Sequence, residues 1–201
     1  MTEEASTPPR RYTMRARARA VERTRERIIE ATANAAATRR LALITLEDIA
    51  ESAGVSVQTI LRQFGSRAGL LEATTRHVRE AVTKERRPPA NDVGQAIRVL
   101  VDHYEARGDA VLLLLSQEND DPHARAIVTV GKRVHRAWVA EVFDQFVHGD
   151  ERSIDLLVVV TDVYTWKLLR RDRRLSRAQT EQRMKDLVAA VLASLNGSTD
   201  V

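Results

Sequence analysis

Apolar positions recur at three- and four-residue spacing along most of the chain, the period of a helix that buries one side. From Val21 to about Arg39 nothing breaks a helix, and Ala-rich sequence with Ile28 and Ile29 favours one. Thr45 before Leu46-Glu47-Asp48-Ile49-Ala50 reads as an N-cap with acids in the first turn. Gly54 ends that helix, Ser56 caps another running to about Phe64, and Ser66 caps a fourth reaching about Arg86. Pro88-Pro89 then marks a loop. Val93, Ile97, Leu100, Val101 and Tyr104 form one helical stripe, with a break expected at Gly108-Asp109 before a short apolar segment to Gln117. Asn119–Pro122 starts a long helical stretch to about Val147. After His148-Gly149-Asp150, residues Ile154–Leu169 are apolar nearly all round, and Arg170–Arg174 is a charged connector. Ser176 and Gln179 have the spacing of a capping box ahead of a last helix ended by Gly197. No alternating strand pattern appears, so the sequence predicts an all-α fold.

Charge changes the picture at the front. Residues 10–27 hold eight arginines against Glu22 and Glu26, a local charge of +6 in a chain whose net charge is +4. Residues 1–20, with Pro8-Pro9 and no apolar period, read as a flexible basic arm. A basic front on a neutral body points to a polyanion, most simply nucleic acid. The 201 residues suit one globular unit or a small module joined to a larger one. Cysteine is absent, which excludes a disulfide framework, thiolate zinc sites and cysteine catalysis. The acidic start Met-Thr-Glu-Glu has no signal-peptide character, and the aliphatic runs Val111–Leu115 and Leu156–Val160 are too short to span a bilayer. A cytoplasmic, nucleoid-associated location without membrane contact is the expectation.

The informative stretch is Thr45–Leu71. Two short helices joined through Ala53-Gly54-Val55-Ser56 have the layout of a helix-turn-helix, which needs glycine where the chain reverses. With Ile49, Ala50, Ala53, Val55, Ile60 and Phe64 turned inward, Val57, Gln58, Leu61 and Arg62 project outward, as a recognition helix does toward the major groove. Helical hairpins with a glycine turn also serve as plain core elements, so spacing alone leaves both readings open.

This stretch resembles the TetR family of bacterial transcriptional regulators (TetR/AcrR-like). Thr24-Arg25, Ile28-Ile29 and Ala31 fit the family's first helix; Thr45, Ile49-Ala50 and Ala53–Ser56 fit its second; Thr59, Ile60, Phe64, Arg67 and Leu70-Leu71 fit the third piece, with no gap. Trp166–Arg170 looks like the penultimate helix of some actinobacterial members. The resemblance implies a three-helix DNA-binding domain at 21–66, a ligand-sensing and dimerising helical bundle at 67–197, and a tail at 198–201. It assigns DNA contacts to Arg25, Thr45, Ser56, Val57, Gln58, Thr59, Leu61, Arg62, Gln63 and Arg67. The arginine arm is longer than the family needs, and Arg15, Arg17 and Arg19 are expected to add phosphate or minor-groove contacts beside the major-groove helix. Leu61 and Gln63 replace the family's usual tyrosine and histidine, and Arg67 stands where lysine usually binds a phosphate. Gln58 pairing with adenine and Val57 on a thymine methyl would favour A·T-containing half-sites.

The resemblance also implies a four-helix dimer interface, drawing here on Leu156, Val160, Met184, Leu187, Val188, Val191, Leu192 and Leu195. It places an effector pocket among the middle helices, with His103, Tyr104, Arg107, Trp138, Phe143, Tyr164 and Trp166 as candidate lining. An enzyme is not expected. The five histidines have no metal-ligand spacing, and there is no glycine-rich phosphate loop. No cofactor or metal is called for. The reading is a homodimeric, ligand-responsive regulator of double-stranded DNA, a repressor at a palindromic operator released by a small molecule. The alternatives are a weakly specific architectural DNA-binding protein without an inducer, and a helical interaction module.

Overall fold

The computed structural model describes residues 10–87 and 92–196. Residues 1–9 of the expected arm, the Pro88-Pro89 loop and Gly197 lie outside the described residues. Among the described residues every regular element is helical: α1 Arg10–Thr38, α2 Leu46–Ala53, α3 Val57–Phe64, α4 Arg67–Glu85, α5 Val93–Leu115, α6 Pro122–Val142, α7 Asp144–Val147, α8 Glu151–Thr161, α9 Val163–Lys167 and α10 Arg177–Asn196. A 3-10 turn, Leu41–Leu43, links α1 to α2, and a π-helical turn, Leu168–Asp172, follows α9.

The helix starts follow local chemistry. Thr45 and Asp48 form a capping box, with Asp48 N–H donating to Thr45 Oγ1 at 3.1 Å and Thr45 N–H to Asp48 Oδ2 at 3.0 Å. Ser66 caps α4, Asp121 caps α6 ahead of Pro122, and Asp150 caps α8. Ser176 and Gln179 cap each other's backbone N–H ahead of α10.

Several expectations are corrected. The arm from Arg10 onward is helical, continuous with α1. Alanine and arginine have high helix propensity, and an exposed helical extension needs no apolar stripe. Gly108 does not break a helix; α5 runs through it, because its missing side chain admits the Trp166 indole. The apolar stretch Ile154–Leu169 is not one helix: Asp162 adopts extended backbone (ψ 156°) and caps α9 through Tyr164 N–H at 2.8 Å. The stretch to Val147 is divided at Phe143. The charged connector begins as a π-helical turn that takes in Arg170 and Arg171.

Two apolar cores result. The head is built on Ile28, Leu41, Ile49, Ile60, Leu70 and Leu71; Ala124 of α6 is buried in the same cluster, and Leu114 and Ile127 pack against it. Helices α5 and α6 therefore contribute to the head core as well as to the body. The body closes on Ile97, Leu100, Tyr104, Trp138, Phe143, Leu157, Trp166 and Met184. Gln117, fully buried, crosses between them: its Oε1 accepts from Leu41 N–H at 2.8 Å and its Nε2 donates to Leu113 C=O at 2.7 Å.

Candidate nucleic-acid interface

Three features fix α3 on the head. Ser56 Oγ accepts from Thr59 N–H at 3.2 Å and lies 3.0 Å from Thr59 Oγ1. Ile60 is fully buried. Phe64 packs on the head core and carries the Arg25 guanidinium at 4.6 Å from its ring centroid, a cation–π contact tying α1 to the end of α3. Gly54 supplies the positive φ (+63°) that turns α2 into α3.

Against that frame Ser56, Gln58, Leu61 and Arg62 are exposed, and Thr45 is exposed at the start of α2. These are the groups free to meet a duplex. Val57 is half-buried against the head core, and Thr59 is half-buried with its hydroxyl against Ser56. Gln63 is half-buried with Oε1 turned inward. Arg17 and Arg19 are exposed on α1; the Arg15 side chain lies outside the described residues. At 1.5 Å per residue, Arg17 lies about 12 Å along the axis from Arg25, so the helix carries positive charge well past the head.

Arg67 departs from its expected role. Its guanidinium donates to Leu41 C=O at 2.5 Å and Ile44 C=O at 3.3 Å, satisfying carbonyls of the α1–α2 connection. An arginine reaches where a shorter donor would not, and here the reach is inward. The phosphate contact that the lysine substitution suggested is replaced by a structural tie.

The expected effector residues lie on α5, on α6 and its C-cap, and on α9. Tyr104, Trp138, Phe143 and Trp166 are buried in the body core, whereas Tyr164 is exposed. Arg107 pairs with Glu85 at 2.6 and 3.0 Å on the surface. Beneath them lies Arg86, which the sequence did not single out. It is 5% exposed, caps the end of α4, stacks on Trp138 at 4.6 Å and donates to His135 Nδ1 at 2.9 Å. Because a guanidinium only donates, His135 accepts at Nδ1 and carries its proton on Nε2, 3.2 Å from Thr161 Oγ1. Thr161 in turn donates to Leu157 C=O at 2.6 Å.

Burial, then the Arg86 charge, pushes His135 down to about 3, and the same two causes in the same order push His103 down to about 4. Glu85 and Arg107 also face His103, the former opposing the shift. Both histidines are neutral in the fold while the unfolded chain protonates near 6.5. Below about pH 6.5 the unfolded chain therefore binds protons that the fold refuses. Stability is expected to fall as pH drops from 6.5 toward 4, by on the order of 1 kcal/mol per pH unit for each histidine. Urea unfolding at pH 7, 6 and 5 checks this; a flat profile would refute buried neutral histidines, and His135→Gln should shallow the slope.

Two residues of the expected dimer face lie inside the body. Met184 and Val188 are buried within the chain's own core, so neither is available to a partner. The exposed apolar residues nearby are Leu156, Val159, Tyr164, Leu168 and Leu187. Val160, Val191, Leu192 and Leu195 are half-buried, packed against the body core.

The head is thus a capped helix-turn-helix packed on an all-α body. Residues 28–74 match the family model described as bacterial regulatory proteins, tetR family. Over most of its length the chain has the same fold as solved transcriptional regulators. A tetR-family regulator from Streptomyces coelicolor superposes with a TM-score of 0.69 at 19% identity, over 89% of this chain and 84% of that one. A transcriptional regulator from Rhodococcus sp. Rha1 gives 0.65 at 15% identity, over 85% and 96%. The multidrug binding protein EbrR, solved with imidazole, gives 0.56 at 20% identity, over 81% and 93%. Comparison with curated proteins gives no match. No helix among the described residues is long and apolar enough to cross a membrane.

Proposed function

We propose that this chain is a ligand-responsive regulator of the repressor type that binds a palindromic operator as a homodimer and is released by a small molecule. The observation that carries the reading is the exposed row Ser56, Gln58, Leu61 and Arg62 on a helix locked by its cap, by Ile60 and by the Arg25–Phe64 stack. A rigid helix presenting polar side chains on one face suits base-edge readout. Dimerisation is supported by the exposed apolar residues of α8 to α10, with Leu156, Val159 and Leu187 at its centre. A two-fold dimer sets two α3 helices about one duplex turn, roughly 34–36 Å, or a multiple apart. The effector reading is supported by the junction of α4 with the body, since α4 also carries the head; release is then a population shift set by differential affinity. A cytoplasmic, nucleoid-associated location follows from that role.

Fluorescence anisotropy on the duplex upstream of the gene, against a scrambled duplex of equal length, tests specificity. A preference of about a thousandfold is expected at physiological salt. The exposed basic extension of α1 favours a second reading, weakly specific architectural binding, and equal affinity for both duplexes that fades with salt would select it. The extension has its own test. If residues 10–19 neutralise about four phosphates per subunit, deleting residues 1–19 lowers the log–log salt slope by ~3.6 per subunit. An unchanged slope would remove the extension from the interface.

A further inference from the structure

Arg86 is a buried cation with no carboxylate beside it among the described residues. Among the described residues no acid lies within ion-pair distance of it, and the two acids that influence the cluster are engaged elsewhere. Glu85 is held by both guanidinium nitrogens of Arg107, and Asp162 caps α9. Of the four buried side-chain polar atoms without a hydrogen-bond partner among the described residues, two belong to this cluster: Arg86 Nε and His103 Nδ1. His103 Nδ1 lies 3.6 Å from Glu85 Oε2, too far for a hydrogen bond. An isolated buried charge is costly, and proteins keep one where something pairs with it. The free Nε–H is a charge-assisted donor suited to a carboxylate oxygen. Around it Trp138, stacked on His135 with the rings 6.0 Å apart, and Tyr104 supply flat apolar surface.

We propose that Arg86, with His103, binds the carboxylate of a small organic acid, and that this acid is the effector. The proposal rests on the regulator reading above and names the chemistry of its ligand. Entry is from the Glu85–Arg107 surface. The incoming carboxylate takes the Nε–H of Arg86 and the place that Glu85 holds opposite His103 and Arg107, and repulsion moves Glu85 aside. Glu85 is the last residue of α4, and Arg86 caps that helix and hands its carbonyl to Trp138 Nε1 at 2.9 Å. Shifting these two residues shifts the helix that carries the head core residues Leu70 and Leu71. The ligand thus acts at the joint between body and head.

Calorimetric titration of the full chain, without DNA, with acetate, butyrate, benzoate and phenylacetate, each against its primary amide, tests the site. At least one acid should bind while its amide does not, and Arg86→Gln should weaken binding by about tenfold to a hundredfold. His103→Gln, which leaves Arg86 and its stack in place, should weaken it less, guarding against an Arg86 variant that fails to fold. Circular dichroism confirms the fold of each. Acids and amides binding alike, acids binding Arg86→Gln undiminished, or no acid binding at all overturns the proposal; the last outcome leaves water as the partner of Arg86 Nε. Anisotropy on the operator is run separately. Specific DNA binding without acid binding refutes the site and leaves the regulator standing, whereas acid binding without specific DNA binding supports the site and refutes the regulator.

Discussion

Replacing Gly108 by valine should lower the thermal unfolding midpoint by roughly 6–12 °C. Gly108 sits inside α5, where a glycine costs about 1 kcal/mol relative to alanine, so a helix former is the expected choice on propensity alone. Packing overrides that preference. A Cβ built at Gly108 would stand 2.5, 2.7 and 3.0 Å from Cζ3, Cη2 and Cε3 of Trp166. The indole cannot retreat: it is fully buried, its Nε1–H donates to Glu105 Oε1 at 3.0 Å, and Arg171 lies over it at 4.6 Å. Overpacking of this kind costs about 1–3 kcal/mol, occasionally more, and the valine methyls place it at the upper end. At about 2–4 °C per kcal/mol for a chain of this size, the shift is readily measured by calorimetry. Alanine gives a smaller loss, because its propensity gain of about 1 kcal/mol offsets part of the clash. A midpoint raised by alanine would mean that the two helices separate freely, and the packing argument would fail.

Gln117→Leu should destabilise the chain by about 2–3 kcal/mol and loosen the head first. The leucine fills the volume but leaves the Leu41 N–H, in a fully buried residue, without its acceptor. An orphaned buried donor costs about 1–3 kcal/mol, and the lost bond to Leu113 C=O adds to that. Leu41 is held from its other side by Arg67, so the turn leading into α2 is tied to the body through Gln117 and to α4 through Arg67. Cutting the first tie frees α2 and α3 relative to α5. Hydrogen exchange is the direct readout: amides of residues 46–64 should exchange faster while those of α10 hold their protection. Uniform acceleration across the chain would show instead that head and body unfold as one unit. Arg67→Ala attacks the same turn from the other side and should act in the same direction.

Much of this protein was legible along the chain because the deciding interactions span four residues or fewer. The Thr45–Asp48 box, the serine caps at 56 and 66, the Ser176–Gln179 pair and the left-handed Gly54 all follow from backbone groups that a nearby side chain must satisfy. The outward row Gln58, Leu61 and Arg62 follows from the same short-range logic, since Ile60 and Phe64 mark the buried side. Helix breaks were harder to place. Gly108 has the composition of a break and Asp162 that of a helix interior, yet each does the opposite.

What the sequence determined by itself is the all-α class, the capped helix-turn-helix and the face that α3 presents, because periodicity and capping are local. Tertiary structure alone decided that Arg67 turns inward to Leu41 and Ile44, that Gln117 ties head to body, that Met184 and Val188 belong to the core, and that Arg86 is buried with no carboxylate beside it among the described residues. Those roles depend on partners between 23 and 76 residues away, such as Ile44 for Arg67 and Leu41 for Gln117, which no spacing along the chain encodes. A long polar side chain goes where its donors and acceptors can be satisfied, and that place exists only once the helices have packed.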